Sequence, residues 1–179
     1  LHDLLGIAER GRFVHADIND RTALGAALDA ARPEIVIHLA AQALVRASYE
    51  SPAATFATNV LGSVTLLDLL RGRPELRAVV MVTSDKVYRN QEWHWSYRES
   101  DPLGGHDPYS ASKAACEIAV ASMRDSFFPP QTSQTKIATV RAGNVIGGGD
   151  WAKDRLVPDL VRAAYECGGP VMLRYPDAI

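Results

Sequence analysis

Cysteine is almost missing from this chain: Cys116 and Cys167 are the two among 179 residues. They form no CxxC pair and have no histidine at a metal-ligand interval, so no metal site is expected. Such sparse cysteine points to a reducing compartment, the cytoplasm, with Cys116 a small core residue. His94 and His106 sit in a polar loop and are expected to face water. Long apolar stretches are missing as well. The most apolar run, Ile35 to Leu44, is far too short to cross a bilayer. No basic start with an apolar segment behind it marks a signal peptide at Leu1. Basic clusters are absent and the net charge is −2, which excludes nucleic acid and anionic membrane as partners held by charge. Finally, no GxxGxxG occurs, and Gly147-Gly148-Gly149 reads as a turn and not as a phosphate cradle.

What is present describes a globular protein. Hydrophobic residues make up 47% and charged residues 22%, and the length fits one domain with a sizeable core. Strand-like and helix-like segments alternate, the mark of a parallel sheet with crossover helices. Arg12 to Ile18 reads as a short strand. Asn19 or Asp20 then caps a helix over 21–31. Ile35 to Leu39 is a buried strand. Ser51-Pro52 opens a helix with a cap residue and a first-turn proline. Phe56, Val60, Val64, Leu67 and Leu70 supply its apolar stripe, and Gly72 stops it. A second buried strand covers 78–83, and a helix from Tyr109 runs to about Arg124. A strand over 137–142 and a last helix from about Asp154 to Glu166 complete the pattern. Ala31-Arg32-Pro33-Glu34 and Gly72-Arg73-Pro74-Glu75 read as two solutions of one helix-to-strand turn. The polar segment after Pro129-Pro130 is a connection within the domain, and Arg89 to His106 is a loop long enough to suggest function.

Chemistry concentrates in Tyr109-Ser110-Ala111-Ser112-Lys113 and, upstream, Thr83-Ser84-Asp85-Lys86. Tyr109 and Lys113 are four apart and share one helix face. An ammonium there favours the phenolate over the phenol, whose ordinary pKa is about 10. That combination makes a base for a sugar hydroxyl near neutral pH. In an open parallel sheet, ligands bind beyond the carboxyl ends of the strands. Asp17-Ile18, Ala40-Ala41-Gln42, Thr83 to Lys86 and Gly143-Asn144 all fall at such ends, so four strand ends are expected to converge on one crevice.

Those strings, with His38-Leu39-Ala40-Ala41-Gln42-Ala43-Leu44-Val45-Arg46 and Arg141 to Trp151, resemble the nucleotide-sugar 4,6-dehydratases of the extended short-chain dehydrogenase/reductase family. The likeness covers nearly the whole chain and is greatest to members acting on CDP-glucose. It implies a Rossmann-like, doubly wound parallel α/β sheet, NAD as cofactor, a nucleotide-sugar substrate and a homodimer formed through the helices from Pro52 and from Tyr109. It also implies an internal redox elimination within the biosynthesis of surface polysaccharide. Tyr109, assisted by Lys113, takes the C4 hydroxyl proton while hydride leaves C4, and Ser84 hydrogen-bonds the new carbonyl. The ketone acidifies C5. Asp85 then acts as acid at the C6 hydroxyl, and Lys86 serves as the C5 base or as a fixed charge at the enolate. Asp85 needs burial or apolar surroundings to keep its proton. By the same resemblance Asp17, Ile18, Leu39, Ala40, Ala41, Thr58, Tyr109 and Lys113 contact the cofactor, and Ser84 and Asn144 contact substrate.

The family's first strand, glycine-rich turn and helix have no counterpart in the sequence. The chain is therefore expected to be an internal fragment, lacking the first strands and the C-terminal substrate region. It would be one partial NAD(P)-binding domain over 1–179, with the substrate region starting near 144–179. An open hydrophobic sheet edge and weak NAD binding are expected of it. Another nucleotide-sugar 4,6-dehydratase or a 4-epimerase of the same family is one alternative, the epimerase argued against by the Asp85–Lys86 pair. A non-catalytic assembly module is another, favoured by the missing glycine-rich turn.

Overall fold

Asp20 starts the first long helix, Arg21–Ala31, by accepting the Ala23 N–H on its carboxylate at 3.0 Å, which fills one of the free amides of the first turn. A computed structural model describes residues 6–152 and 154–167. They divide into two units, residues 14–143 and, separately, residues 6–13 with the described part of 144–167.

In the larger unit β1 (Ile35–His38), β2 (Ala78–Val82) and β3 (Lys136–Val140) form a parallel sheet in that order. The register sets Ile35 beside Ala78 and Ala78 beside Lys136. Between the strands lie Val45–Glu50, a continuous 52–69 helix and Pro108–Phe127. Strands added in sequential order through right-handed crossovers put both connecting helices on one face of the sheet. The burial pattern agrees. Val79, Met81, Ile137 and His38 are buried under Leu66, Leu67, Leu70, Cys116 and Val120, whereas Ile35, Ile37 and Val140 on the other face are exposed. The Rossmann-like architecture is there, and the described residues furnish one of its two helical layers. Ile35, Ile37 and Leu39 are each more than 60% exposed, so β1 is not the buried strand expected of 35–39, because no described layer covers that face of it.

Two further expectations change. Arg12 to Ile18 is not a strand: among the described residues it runs as irregular chain into a turn. A strand is held by its ladder, and the sheet pairs only β1, β2 and β3. The 52–69 helix buries Leu67 and Leu70 as expected but a different face in its first half. Its middle, Ala57–Leu61, is a π-helical turn, and the extra residue per turn rotates the face on either side of it. Phe56 is consequently exposed, while Thr55, Asn59 and Ser63 are buried ahead of Leu66, Leu67 and Leu70.

The echoing turns both use a left-handed residue, Arg32 at φ 43° in one and Gly72 at φ 69° in the other. They are cross-braced by Arg32 to Glu75 and Arg73 to Asp29. In the smaller unit Asp154, at φ 65°, delays the last helix to Leu156–Arg162, followed by a π turn Ala163–Cys167. Residues 168–179, the end of the expected substrate region, lie outside the described residues. No described helix is long and apolar enough to cross a membrane.

Candidate active site

The 108–127 helix begins with two features that hold its first turn in place. Asp107 caps it, accepting from the Ser110 N–H at 2.9 Å, and Pro108 takes the first helical position. Its buried stripe is Tyr109, Ser112, Lys113, Cys116, Glu117 and Val120, the spacing of one helix face. Five of these six are polar or ionisable, which a helix lying on a sheet tolerates only if each group is bonded. The Lys113 ammonium donates to the Val82 carbonyl at 3.1 Å. Ser112 Oγ donates to the Tyr109 carbonyl and accepts from Asn59 Nδ2 at 2.8 Å. The Tyr109 N–H donates to Ser48 Oγ.

Asn59 is the hub of this arrangement. Its side chain also accepts the Gln42 N–H at 2.8 Å and donates to the Gln42 carbonyl, so it fastens the chain leaving β1 to the helix carrying Tyr109. Ser63, one turn on, donates to the Asn59 carbonyl at 2.8 Å. The Cys116 thiol and His38 Nε2 therefore act as donors to Ser63 Oγ, at 3.4 and 3.1 Å. His38 is thereby assigned as the neutral Nε2–H tautomer.

Of the predicted residues, Leu39, Ala40 and Ala41 follow β1 and Ser84, Asp85 and Lys86 follow β2, whereas Asp17 and Ile18 follow no strand. Beyond β1, Leu39 and Ala40 are exposed and Ala41 is half-buried. Beyond β2, Ser84 is buried and donates to Asp85 Oδ1 at 3.1 Å. Pairing continues past the strands: Thr83 N–H donates to the Val140 carbonyl and Asp85 N–H to the Ala142 carbonyl, at 2.8 and 3.0 Å. A Cβ built on Gly143 would lie 3.6 Å from Asp85 Oδ2, so the ends of β2 and β3 are in contact. Asp85 and Lys86 stand exposed on the 3-10 turn Asp85–Val87. Burial of Asp85, which the resemblance asks for, is not provided by the described residues. Asp17 is exposed, its carboxylate accepting from the Asn19 N–H, and Ile18 packs against Gly62, where a Cβ would come within 2.8 Å of it. Thr58 lies half-buried on the π turn. Asn144 belongs to the smaller unit, where it lines a pocket with Ile146, Asp150 and Arg155. His94 and His106 are exposed, and the described residues contain no group of three or more His, Cys, Asp or Glu able to hold a metal.

Burial and neighbours tune the charges. Burial pulls Lys113 below the ordinary lysine range, while Cys116 and Glu117 pull it back up. Burial, reinforced by the Lys113 charge, takes His38 down to about 4. Burial pushes the Cys116 thiol up. Burial alone would raise Glu117, but hydrogen bonds from Arg141, Thr83 and Thr139 hold it below the usual glutamate range. Sequence reasoning passed over Ser48, Ser63, Glu117 and Arg141. Glu117 had a signal: it stands four residues after Lys113, as Lys113 does after Tyr109.

A parallel sheet with its connecting helices on one face defines a Rossmann-like fold. The family model for GDP-mannose 4,6-dehydratase matches residues 2–135, and the chain belongs to that family. It is 50% identical over 166 residues to the CDP-glucose 4,6-dehydratase of Salmonella typhimurium, which covers 91% of this chain and 46% of that protein. The chain thus spans about half the length of that relative. Among solved structures, a dTDP-glucose 4,6-dehydratase from Streptomyces venezuelae with NAD bound is 29% identical, with TM-score 0.77 over 90% of this chain and 47% of that one. A UDP-glucose 4-epimerase from Thermotoga maritima with UDP-glucose is 25% identical, with TM-score 0.67 over 75% of this chain and 42% of that one.

Proposed function

We propose that this chain is the catalytic core of an NAD-dependent lyase that converts CDP-glucose to its 4-keto-6-deoxy product. The observation that carries the reading is Lys113 bonded to the last carbonyl of β2, two residues ahead of Ser84. It brings the Tyr-xxx-Lys helix to the strand end that bears the Ser-Asp-Lys string. The half-length match to a CDP-glucose enzyme supports the choice of nucleotide.

The residues present suit a dinucleotide. Leu39 and the small Ala40 are exposed at the end of β1, and the Asp17 carboxylate is open to an adenine amino group. Leu39, Ala40 and Ala41 would line the cofactor, with Asp17 and Ile18 at its adenine and Thr58, Tyr109 and Lys113 nearer its nicotinamide. Bound NAD would supply an acceptor for the sugar's hydride and return it. The chain's own residues do the proton work. Tyr109, its phenolate favoured by the Lys113 ammonium, takes the proton from the C4 hydroxyl. Ser84 donates to the carbonyl oxygen that forms at C4. Lys86 takes the C5 proton or holds the enolate by charge, and Asp85 gives a proton to the departing C6 hydroxyl.

Structural likeness to a UDP-glucose 4-epimerase favours a second reading, inversion at C4 without loss of water. Mass spectrometry of the product decides, since dehydration removes one water and epimerisation none. In the protein at its natural length, Tyr109→Phe should abolish turnover and any transient absorbance of reduced cofactor. Lys86→Ala and Asp85→Asn should let that absorbance accumulate while slowing water loss ~10²-fold. A Lys86→Ala protein with wild-type turnover would remove the dehydratase reading's most specific residue.

A further inference from the structure

The catalytic reading uses Tyr109 and Lys113 and leaves Glu117, the next residue along their stripe, without a task. It is nonetheless the most heavily bonded carboxylate described. Its side chain is 5% exposed. Oε1 accepts from Thr83 Oγ1 at 2.5 Å and from Arg141 Nε at 3.1 Å. Oε2 accepts from Thr139 Oγ1 at 3.0 Å and Arg141 Nη2 at 3.1 Å. Thr139 is on β3, and Thr83 and Arg141 are the residues that leave β2 and β3. Thr83 precedes Ser84.

The bonds continue outward from Arg141. Its Nη1 donates to the Glu99 carbonyl at 3.2 Å, and its guanidinium lies 4.8 Å from the centre of the Tyr88 ring. Tyr88 stacks on Tyr97 at 4.9 Å and pairs with Leu103 across an antiparallel bridge. Tyr97 in turn accepts the Gln91 N–H and packs against Trp93. One carboxylate thus reaches, through a two-point guanidinium fork, into the long loop that separates Lys86 from Tyr109.

We propose that Glu117 is a positioning residue: through Thr83 and Arg141 it seats the Tyr109–Lys113 helix on the ends of β2 and β3 and ties the 88–103 loop to them. Glu117 also acts on Lys113 electrostatically. The groups that bear on Lys113 are His38 and the Val82 carbonyl from the sheet and Cys116 and Glu117 from its own helix, together with Tyr109, which the catalytic reading pairs with it. Of these Glu117 is the anion that favours the ammonium. Only this second effect depends on the dehydratase reading.

The test uses the protein at its natural length. Glu117→Gln alone would leave the half-buried Arg141 charge without its carboxylate and risks unfolding. The decisive variant is Glu117→Gln/Arg141→Met, which removes both charges, with Asp125→Asn, from an exposed pair on the same helix, as the control. The double variant should still melt cooperatively, yet trypsin should cut after Arg89 and Arg98 about tenfold faster, because opening of the loop governs cleavage. Tryptophan emission should shift to the red. Its activity should fall at a lower pH on the alkaline side than in the wild type, because Lys113 has lost the anion four residues along its helix, which acts on it more than the more distant Arg141. Arg141→Lys keeps the Glu117 charge and loses the fork; it should speed cleavage and leave the alkaline limb unmoved, and it serves alone if the double variant does not fold. Wild-type cleavage in these variants would overturn the tie to the loop, and an unmoved limb in a folded double variant would overturn the effect on Lys113. Should the wild type fail to dehydrate CDP-glucose, the dehydratase reading falls, while cleavage and emission still decide the loop.

Discussion

His38 lies beneath β1 as an uncharged ring, its Nε2–H given to Ser63 and its environment shared with the Lys113 charge. The unfolded chain would protonate it near 6.5, the folded chain only near 4. The folded pKa is the lower, so the unfolded state binds more protons between those values. The contribution is complete above about pH 6.5 and is lost as pH falls towards 4, by about 2 kcal/mol at pH 5. Urea midpoints at pH 7.5 and 5 should show this loss in the wild type. They should show much less of it in His38→Asn, which keeps a donor but does not titrate. Equal slopes in the two proteins would mean that other groups carry the acid sensitivity.

Two glycines decide how closely elements approach, and they should respond differently to a methyl group. A Cβ on Gly105 would meet the Cβ of Ser110 at 2.3 Å and the Ser110 backbone at 2.4 Å. Backbone cannot swing aside, so the loop would have to lift from the helix that carries Tyr109. Gly105→Ala should cost about 1–3 kcal/mol. A Cβ on Gly62 would meet Cγ2 and Cγ1 of Ile18 at 2.8 and 3.1 Å, so the turn bearing Ile18 must shift, but the clash is milder than at Gly105 and alanine in a helix gains about 1 kcal/mol over glycine. Gly62→Ala should accordingly leave stability much closer to wild type. Chemical denaturation of both variants checks the ranking, and a Gly105→Ala protein as stable as Gly62→Ala would show that the loop contact is slack.

Across the whole molecule, the two helices under the sheet present apolar side chains that nothing described covers, with Leu61 and Ile118 each about 60% exposed. Pairing of these helices with a second copy would remove that surface from water. Light scattering should report a dimer, and Leu61→Glu/Ile118→Glu should give a monomer with unchanged far-UV circular dichroism. A wild-type chain that stays monomeric at high concentration rules the pairing out.

Local chemistry in the sequence was enough for the elements whose signals are local. Asp20 as a cap, the 21–31 helix and three strands of β-branched residues can be read directly, as can Tyr109 and Lys113 on one face, because spacing along a helix is a property of the chain alone. Only the tertiary structure decided which residues those faces meet. The π turn at Ala57–Leu61 rotated the buried face from Phe56 to Asn59 and Ser63, and no periodicity count anticipates one extra residue in a turn. Arg12 to Ile18 has strand composition yet forms no strand, since a ladder needs a neighbour. Glu117 reaches Thr83 and Arg141 across 34 and 24 residues of sequence. Contacts of that range exist only once strand order and crossover hand have brought the ends of β2 and β3 to one helix.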